Sequence, residues 1–219
     1  MHSRLMDFLL SASIANRLST LISLIVMALV ASTAHAAQTI IIFGDSLSAA
    51  YGIQQNEGWV ALLDKKLNQE YSHYSVINAS ISGETTSGGL SRFSQMLSTH
   101  KPDIVVIELG ANDGLRGLSL NEMQANLNSM ISKAKTQNAK VMLLGMKIPP
   151  NYGLQYTKKF SGIYENLAEK YSLKLVPFFL DGVAGKRNLV QDDGLHPTAA
   201  AQPKLLENVW PQLKSLLKK

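Results

Sequence analysis

The stretch Thr39-Ile40-Ile41-Ile42-Phe43-Gly44-Asp45-Ser46-Leu47-Ser48 decides the fold. Its first half is apolar and β-branched without polar alternation, the pattern of a strand buried on both faces. A glycine then breaks the run, and Asp45-Ser46 puts polar atoms at the strand's carboxyl end. A strand buried on both faces needs neighbours of the same kind and helices to cover it.

Working outward, such neighbours recur at regular intervals. Strands are predicted at Thr39–Phe43, Ser75–Ala79, Ile104–Leu109, Val141–Gly145 and Lys174–Val176. Between them lie amphipathic segments read as helices: Trp59–Glu70 with Val60, Leu63 and Leu67 on one face, Gly89–Ser98, Leu120–Ala134 with Met123, Leu127, Met130 and Ile131 at core spacing, and Phe160–Tyr171. A last helix runs from about Ala199 to Leu217, bent or restarted at Pro203 and Pro211. Regular βα alternation with right-handed crossovers predicts an α/β fold, a three-layer α/β/α sandwich around a central, mainly parallel five-stranded sheet. Ligands of such sheets collect beyond the carboxyl ends of the strands. Chemistry is therefore expected just after Phe43, Ala79, Leu109 and Gly145, and polar, glycine-rich segments follow the first three.

Upstream of the first strand, Arg4 and Arg17 precede an uncharged run from Leu18 to Ala31, followed by Ala34-His35-Ala36. A basic flank, an apolar segment and an A-x-A site read as a secretory signal, residues 1–36, cut after Ala36. The alternative is a membrane anchor, since the uncharged run continues to Phe43. Using Ile40–Phe43 as a core strand leaves the apolar segment short for a spanning helix. The expected destination is the periplasm or the exterior, with residues 37–219 as the folded domain and no stable membrane span in it.

The 219-residue chain has formal net charge +5, and removing residues 1–36 takes away two basic residues and one acidic one, leaving +4. The basic pairs Lys65-Lys66, Lys158-Lys159 and Lys218-Lys219 are scattered solvated positions, not the basic stripe with interleaved aromatics that nucleic acid requires. With no cysteine, an exported fold relies on its core, without disulfides or a thiolate metal site.

Four segments carry chemistry. Gly44-Asp45-Ser46 at a strand-to-helix turn presents a hydroxyl and backbone donors, although Ser48 stands where the G-x-S-x-G elbow of α/β-hydrolases has its last glycine, and capping alone would also explain the turn. Near the other end, Asp193-Gly194-Leu195-His196-Pro197 sets a carboxylate three residues before a histidine. That carboxylate can hold the Nδ1 proton and leave Nε2 free as a base. Of the histidines beyond residue 36, His73 and His100 occupy loop positions, and His196 alone has a carboxylate built beside it, with Asp192 as the second candidate partner. Asn78-Ala79-Ser80-Ile81-Ser82-Gly83 and Gly110-Ala111-Asn112-Asp113-Gly114 offer a close-approach backbone N–H and a side-chain amide suited to an oxyanion. Each of these also suits plain turn chemistry.

Taken in order, Gly44-Asp45-Ser46-Leu47-Ser48, Gly83, Gly110-x-Asn112-Asp113 and Asp193-x-x-His196 resemble the four sequence blocks of SGNH (GDSL-type) hydrolases. Asn78–Gly83, Asn112–Gly117 and Gln191–Pro197, with Pro150-Asn151-Tyr152-Gly153 and Pro177-Phe178-Phe179, resemble the bacterial periplasmic branch of multifunctional acyl-CoA thioesterases, arylesterases and lysophospholipases. The resemblance covers essentially all of residues 37–219 and implies a flavodoxin-like sandwich. It implies Ser46 as nucleophile, His196 as base and Asp193 as its orienter. The oxyanion hole would come from the N–H groups of Ser46 and Gly83 and the Asn112 amide. The substrate would be a small-molecule or lipid acyl ester or thioester, with no metal and no cofactor. Two departures stand out: Ala111 where close relatives often have glycine, and a shortened stretch at Gly182–Leu189. Leu47, Tyr51, Leu115, Ile148 and Tyr152 are candidates for an acyl channel or for ordinary packing. The competing functions are a carbohydrate O-acetylesterase using the same site and a non-catalytic binding module on the same scaffold.

Overall fold

The computed structural model describes residues 37–218; the export signal expected over residues 1–36 lies outside the described residues. Five strands form one sheet: β1 Gln38–Gly44, β2 Tyr74–Asn78, β3 Ile104–Glu108, β4 Lys140–Leu144 and β5 Lys174–Val176. Among the described residues six α-helices accompany them: α1 Trp59–Glu70, α2 Thr86–His100, α3 Ala111–Leu115, α4 Leu120–Thr136, α5 Leu154–Tyr171 and α6 Gln202–Lys214. All strand pairings are parallel, in the spatial order β2-β1-β3-β4-β5. Helices α1 and α6 pack together, α4 packs against both α2 and α5, and together they complete the three-layer sandwich.

The central strands owe their place to composition. Ile40, Ile41, Ile42 and Phe43 are fully buried, and β3 is buried along its whole length. Phe43 meets Phe93 of α2 edge-on at 4.9 Å, and Trp59 of α1 meets Phe179 at 5.5 Å. Helix α4 buries Met123, Leu127, Met130 and Ile131, the face its spacing predicts.

The differences from the sequence reading have local causes. Helix α2 starts at Thr86, three residues before the expected Gly89, because Thr85 caps it by accepting the Gly88 N–H at 3.2 Å. Glycine weakens helix periodicity and hides that first turn. Gly89 is nonetheless required, since a Cβ there would lie 2.6 Å from Leu109 Cδ1 and 3.2 Å from the Phe43 ring. Helix α5 begins at Leu154, six residues before Phe160, in an exposed turn with no apolar stripe to read. Pro203 falls in the first turn of α6 and starts it, after a 3₁₀ turn at Ala199–Ala201, whereas Pro211 lies inside the helix without ending it. The short helix α3 was not expected at all.

The chain leaves β1 to form β2 on one side and returns to form β3 on the other. That reversal opens a crevice beyond the carboxyl ends of β1 and β3. There Gly44 is in register with Glu108, so the loops carrying Ser46 and Asn112 emerge side by side.

Candidate active site

Ser46 sits two residues past the end of β1, in the turn that follows it, with 9% of its surface exposed. Its Oγ lies 2.8 Å from His196 Nε2, and His196 Nδ1 lies 2.5 Å from Asp193 Oδ2. Asp193 Oδ1 accepts the N–H groups of Leu195 at 2.9 Å and His196 at 3.0 Å across a turn that Gly194 makes with φ +70°. Partial burial pushes the Asp193 carboxyl up, but the His196 N–H, the imidazole and the Leu195 N–H outweigh it and bring the carboxyl down to about 2. An ionised Asp193 assigns the proton to Nδ1, leaving Nε2 to accept from the Ser46 hydroxyl.

The histidine loop is tied to the serine loop. The Gln191 N–H donates to His196 O at 2.7 Å, and Val190 bridges Pro197. The Gln191 amide donates to Tyr51 O at 2.8 Å and to Pro197 O at 3.0 Å. The Tyr51 ring lies against the imidazole, centroids 4.5 Å apart. Asp192 is exposed and Asp193 is the residue bonded to the imidazole. His100 ends α2, and His73 precedes β2, its Nε2 3.2 Å from Lys218 O; both lie at the amino ends of strands, away from the crevice.

Two loops complete the site. Gly83 takes φ +78°, and its carbonyl accepts from Arg116 Nη2 at 3.0 Å. Among the described residues, neither the Ser46 nor the Gly83 N–H donates to a protein acceptor, so both remain free for a ligand. Asn112 stands in the first turn of α3. One amide hydrogen goes to Asp45 Oδ2 at 3.0 Å, and its Oδ1 accepts from Arg116 Nη2 at 3.3 Å. The second amide hydrogen is left for the crevice. Asp113 faces the other way and holds the start of α2, accepting from the Thr86 N–H at 2.9 Å and its hydroxyl at 2.5 Å.

Beneath Ser46 lie two buried carboxyls. Asp45 Oδ1 accepts the Leu47 N–H at 3.0 Å. Glu108 Oε2 accepts the Asp45 N–H at 3.2 Å and the Ser48 hydroxyl at 2.8 Å. Burial lifts the Asp45 carboxyl to about 6 against the pull of the Leu47 N–H and the Asn112 amide. Burial, and after it the charge of Asp45, push Glu108 well above the usual carboxylate range.

A cavity of about 490 Å³ opens beside Ser46 and His196. Leu47, Leu115, Met146, Ile148, Phe178, Leu180 and Val190 line it, with Lys147 at its wall. Leu47, Leu115 and Ile148 thus stand where an acyl channel was expected, whereas Tyr51 packs on the imidazole and Tyr152 donates to Leu115 O at 2.9 Å. Glu108 and the cavity residues Met146, Lys147, Leu180 and Val190 escaped the sequence reading, and Arg116 and Phe178 entered it only inside the family-like segments, without a role. Glu108 carried one signal, a carboxylate in an otherwise apolar strand.

Fold and site together define a three-layer α/β/α sandwich with a serine, a histidine and a carboxylate aligned at its switch point. Residues 42–202 match the model of the GDSL-like lipase/acylhydrolase family, and the chain belongs to that family. Esterase TesA of Pseudomonas aeruginosa is 55% identical over 182 residues, 83% of this chain and 90% of that protein. Thioesterase 1/protease 1/lysophospholipase L1 of Escherichia coli K12 is 42% identical over 184 residues, 84% of this chain and 87% of that protein. The crystal structure of the psychrotrophic esterase EstA from Pseudoalteromonas sp., inhibited by monoethylphosphonate, superposes with a TM-score of 0.78 at 46% identity, covering 81% of this chain and 97% of that one.

Proposed function

We propose that this protein hydrolyses carboxylic esters and thioesters by acyl transfer through Ser46. Family membership and the named esterase and thioesterase relatives support the reaction class. The observation that carries the residue assignment is the continuous line Ser46 Oγ–His196 Nε2–Asp193, with links of 2.8 and 2.5 Å.

Ser46 Oγ attacks the substrate carbonyl as its proton passes to His196 Nε2. Asp193 stabilises the imidazolium that forms. The carbonyl oxygen becomes an oxyanion and takes hydrogen bonds from the N–H groups of Ser46 and Gly83 and the free amide hydrogen of Asn112. When the intermediate collapses, the imidazolium gives its proton to the leaving alkoxide or thiolate, and an acyl-serine remains. Water then attacks it with His196 again as base, releasing the carboxylic acid and restoring the serine.

The substrates are small-molecule or lipid acyl esters and thioesters whose chain lies in the apolar cavity beside Ser46. A pocket lined by seven large apolar side chains favours an acyl chain over a bare acetyl group on a sugar. We place the enzyme in the periplasm or outside the cell on the strength of the Arg4–Ala36 signal pattern; among the described residues no helix is long and apolar enough to cross a membrane. A fluorophosphonate probe tests the assignment: it labels the wild type on Ser46 and leaves Ser46→Ala unlabelled. Equal labelling of both refutes it.

A further inference from the structure

We propose that Glu108 and Asp45 form a buried carboxyl pair with a single proton, on Glu108, and a single charge, on Asp45, and that this pair is a positioning unit that aims the Asn112 amide into the oxyanion site. The proposal rests on Asn112 acting as an oxyanion donor.

Glu108 is the last residue of β3, fully buried, and lies directly under the serine turn. Its contact with Gly44 is close enough that a Cβ on Gly44 would stand 2.6 Å from Oε2. Oε2 receives two donors, the Asp45 N–H and the Ser48 hydroxyl. The Ser48 proton is committed to Glu108, because Trp59 Nε1 donates to the same Ser48 oxygen at 3.2 Å. Oε1 is buried too and receives no donor. Among the described residues, no lysine or arginine pairs with Glu108. An anion with one bare oxygen in an apolar interior is costly, and a proton on Oε1 replaces that charge with a neutral hydroxyl, whose burial costs far less.

Asp45 is the opposite case. Both its oxygens take donors, Oδ1 from the Leu47 N–H and Oδ2 from the Asn112 amide, and His196 lies near enough to favour its charge. The proton therefore belongs on Glu108 and the charge on Asp45. The other titratable groups around the pair have their own partners: the Tyr164 hydroxyl donates to Leu109 O at 2.9 Å, and Asp113 accepts from Thr86.

An anionic Asp45 makes a charge-assisted bond to one amide hydrogen of Asn112, while Arg116 takes the amide oxygen. With both held, the amide cannot turn its oxygen toward the crevice, and the remaining hydrogen points where an oxyanion forms. Glu108 in turn fixes Asp45 through the Asp45 backbone N–H, so an acidic residue at the carboxyl end of the central strand sets the direction of a donor on α3.

A double-mutant cycle tests the pair. Asp45→Asn is expected to lower kcat about tenfold to a hundredfold with KM little changed. Adding Asn112→Ala to it should then cost far less than the roughly 10²–10³ the same change costs in the wild type. Glu108→Leu is expected to lower kcat similarly, and Glu108→Gln, a neutral hydrogen-bonding replacement, to recover most of it with the acid limb of the kcat profile unshifted. Should Glu108→Leu fail to fold by circular dichroism, the cycle and Glu108→Gln still decide. Additive effects of Asp45→Asn and Asn112→Ala would overturn the proposal, as would Glu108→Gln moving the acid limb down by about one pH unit, the mark of a lost negative charge. If Asn112→Ala alone leaves kcat unchanged, the reading of Asn112 as a donor fails.

Discussion

Two backbone N–H groups and an imidazole converge on Asp193, so its carboxylate both shapes the turn and fixes the tautomer of His196. Asp193→Asn keeps an acceptor for the backbone but presents an amide hydrogen to Nδ1, which drives the imidazole proton onto Nε2. The variant should lose about 10⁴ in kcat with little change in KM on p-nitrophenyl esters. The carboxyl also has a pH signature. Its folded value of about 2 lies below the usual 3.8, so the stability it contributes is present above pH 3.8 and is lost as pH falls through 2. Thermal melts should show wild type exceeding Asp193→Asn at pH 7, with the gap narrowing between pH 4 and pH 2. Asp193 and His196 were legible in the sequence because a spacing of three within one turn is local information. Glu108 was not: within Ile104–Leu109 it reads as one polar residue in a strand, and Ser48, Trp59 and Asp45 reach it only through folding.

At the level of elements, α3 is where the sequence was least informative and the site most dependent. Five residues including Asn112, Asp113 and Gly114 offer neither apolar period nor length, and look like a loop. What makes them helical is Gly110, whose φ of +118° turns the chain at the end of β3, and Asp113, which anchors the turn to Thr86. Gly110→Ala would be strained at that φ and would drive its Cβ into the Tyr164 hydroxyl and the Met123 side chain. We expect a loss of about 1–3 kcal/mol in a urea titration, together with a fall in kcat as Asn112 shifts. Gly44→Ala should also destabilise, since its Cβ would sit 3.1 Å from the Glu108 carbonyl oxygen as well as against its carboxyl. The longer helices were legible because Val60, Leu63 and Leu67, or Met123, Leu127 and Met130, repeat at helical spacing and are buried as that spacing demands. The exposed first turn of α5 carries no such mark.

Across the whole molecule, strand order does what no motif can: by placing β1 beside β3 it brings loops that are 66 residues apart in sequence, at Ser46 and Asn112, to one edge of the sheet, where His196 meets them from 150 residues beyond the serine. The continuous apolar strands implied the parallel sheet, and polar residues at their ends implied which edge to search. The cavity was not legible, because Met146, Phe178, Leu180 and Val190 come from separate loops and resemble core residues in sequence. Its volume and apolar lining predict higher kcat/KM on medium-chain than on acetyl p-nitrophenyl esters; activity confined to acetyl esters would favour a carbohydrate O-acetylesterase. Hydrolysis by this protein is expected to run through covalent chemistry at one hydroxyl, that of Ser46. Rapid mixing of the protein with a p-nitrophenyl ester, quenching in acid and mapping the adduct by mass spectrometry should find about one acyl group per chain, on Ser46, with Ser46→Ala giving neither adduct nor turnover. An acyl group on another residue, or turnover that survives in Ser46→Ala, would contradict it.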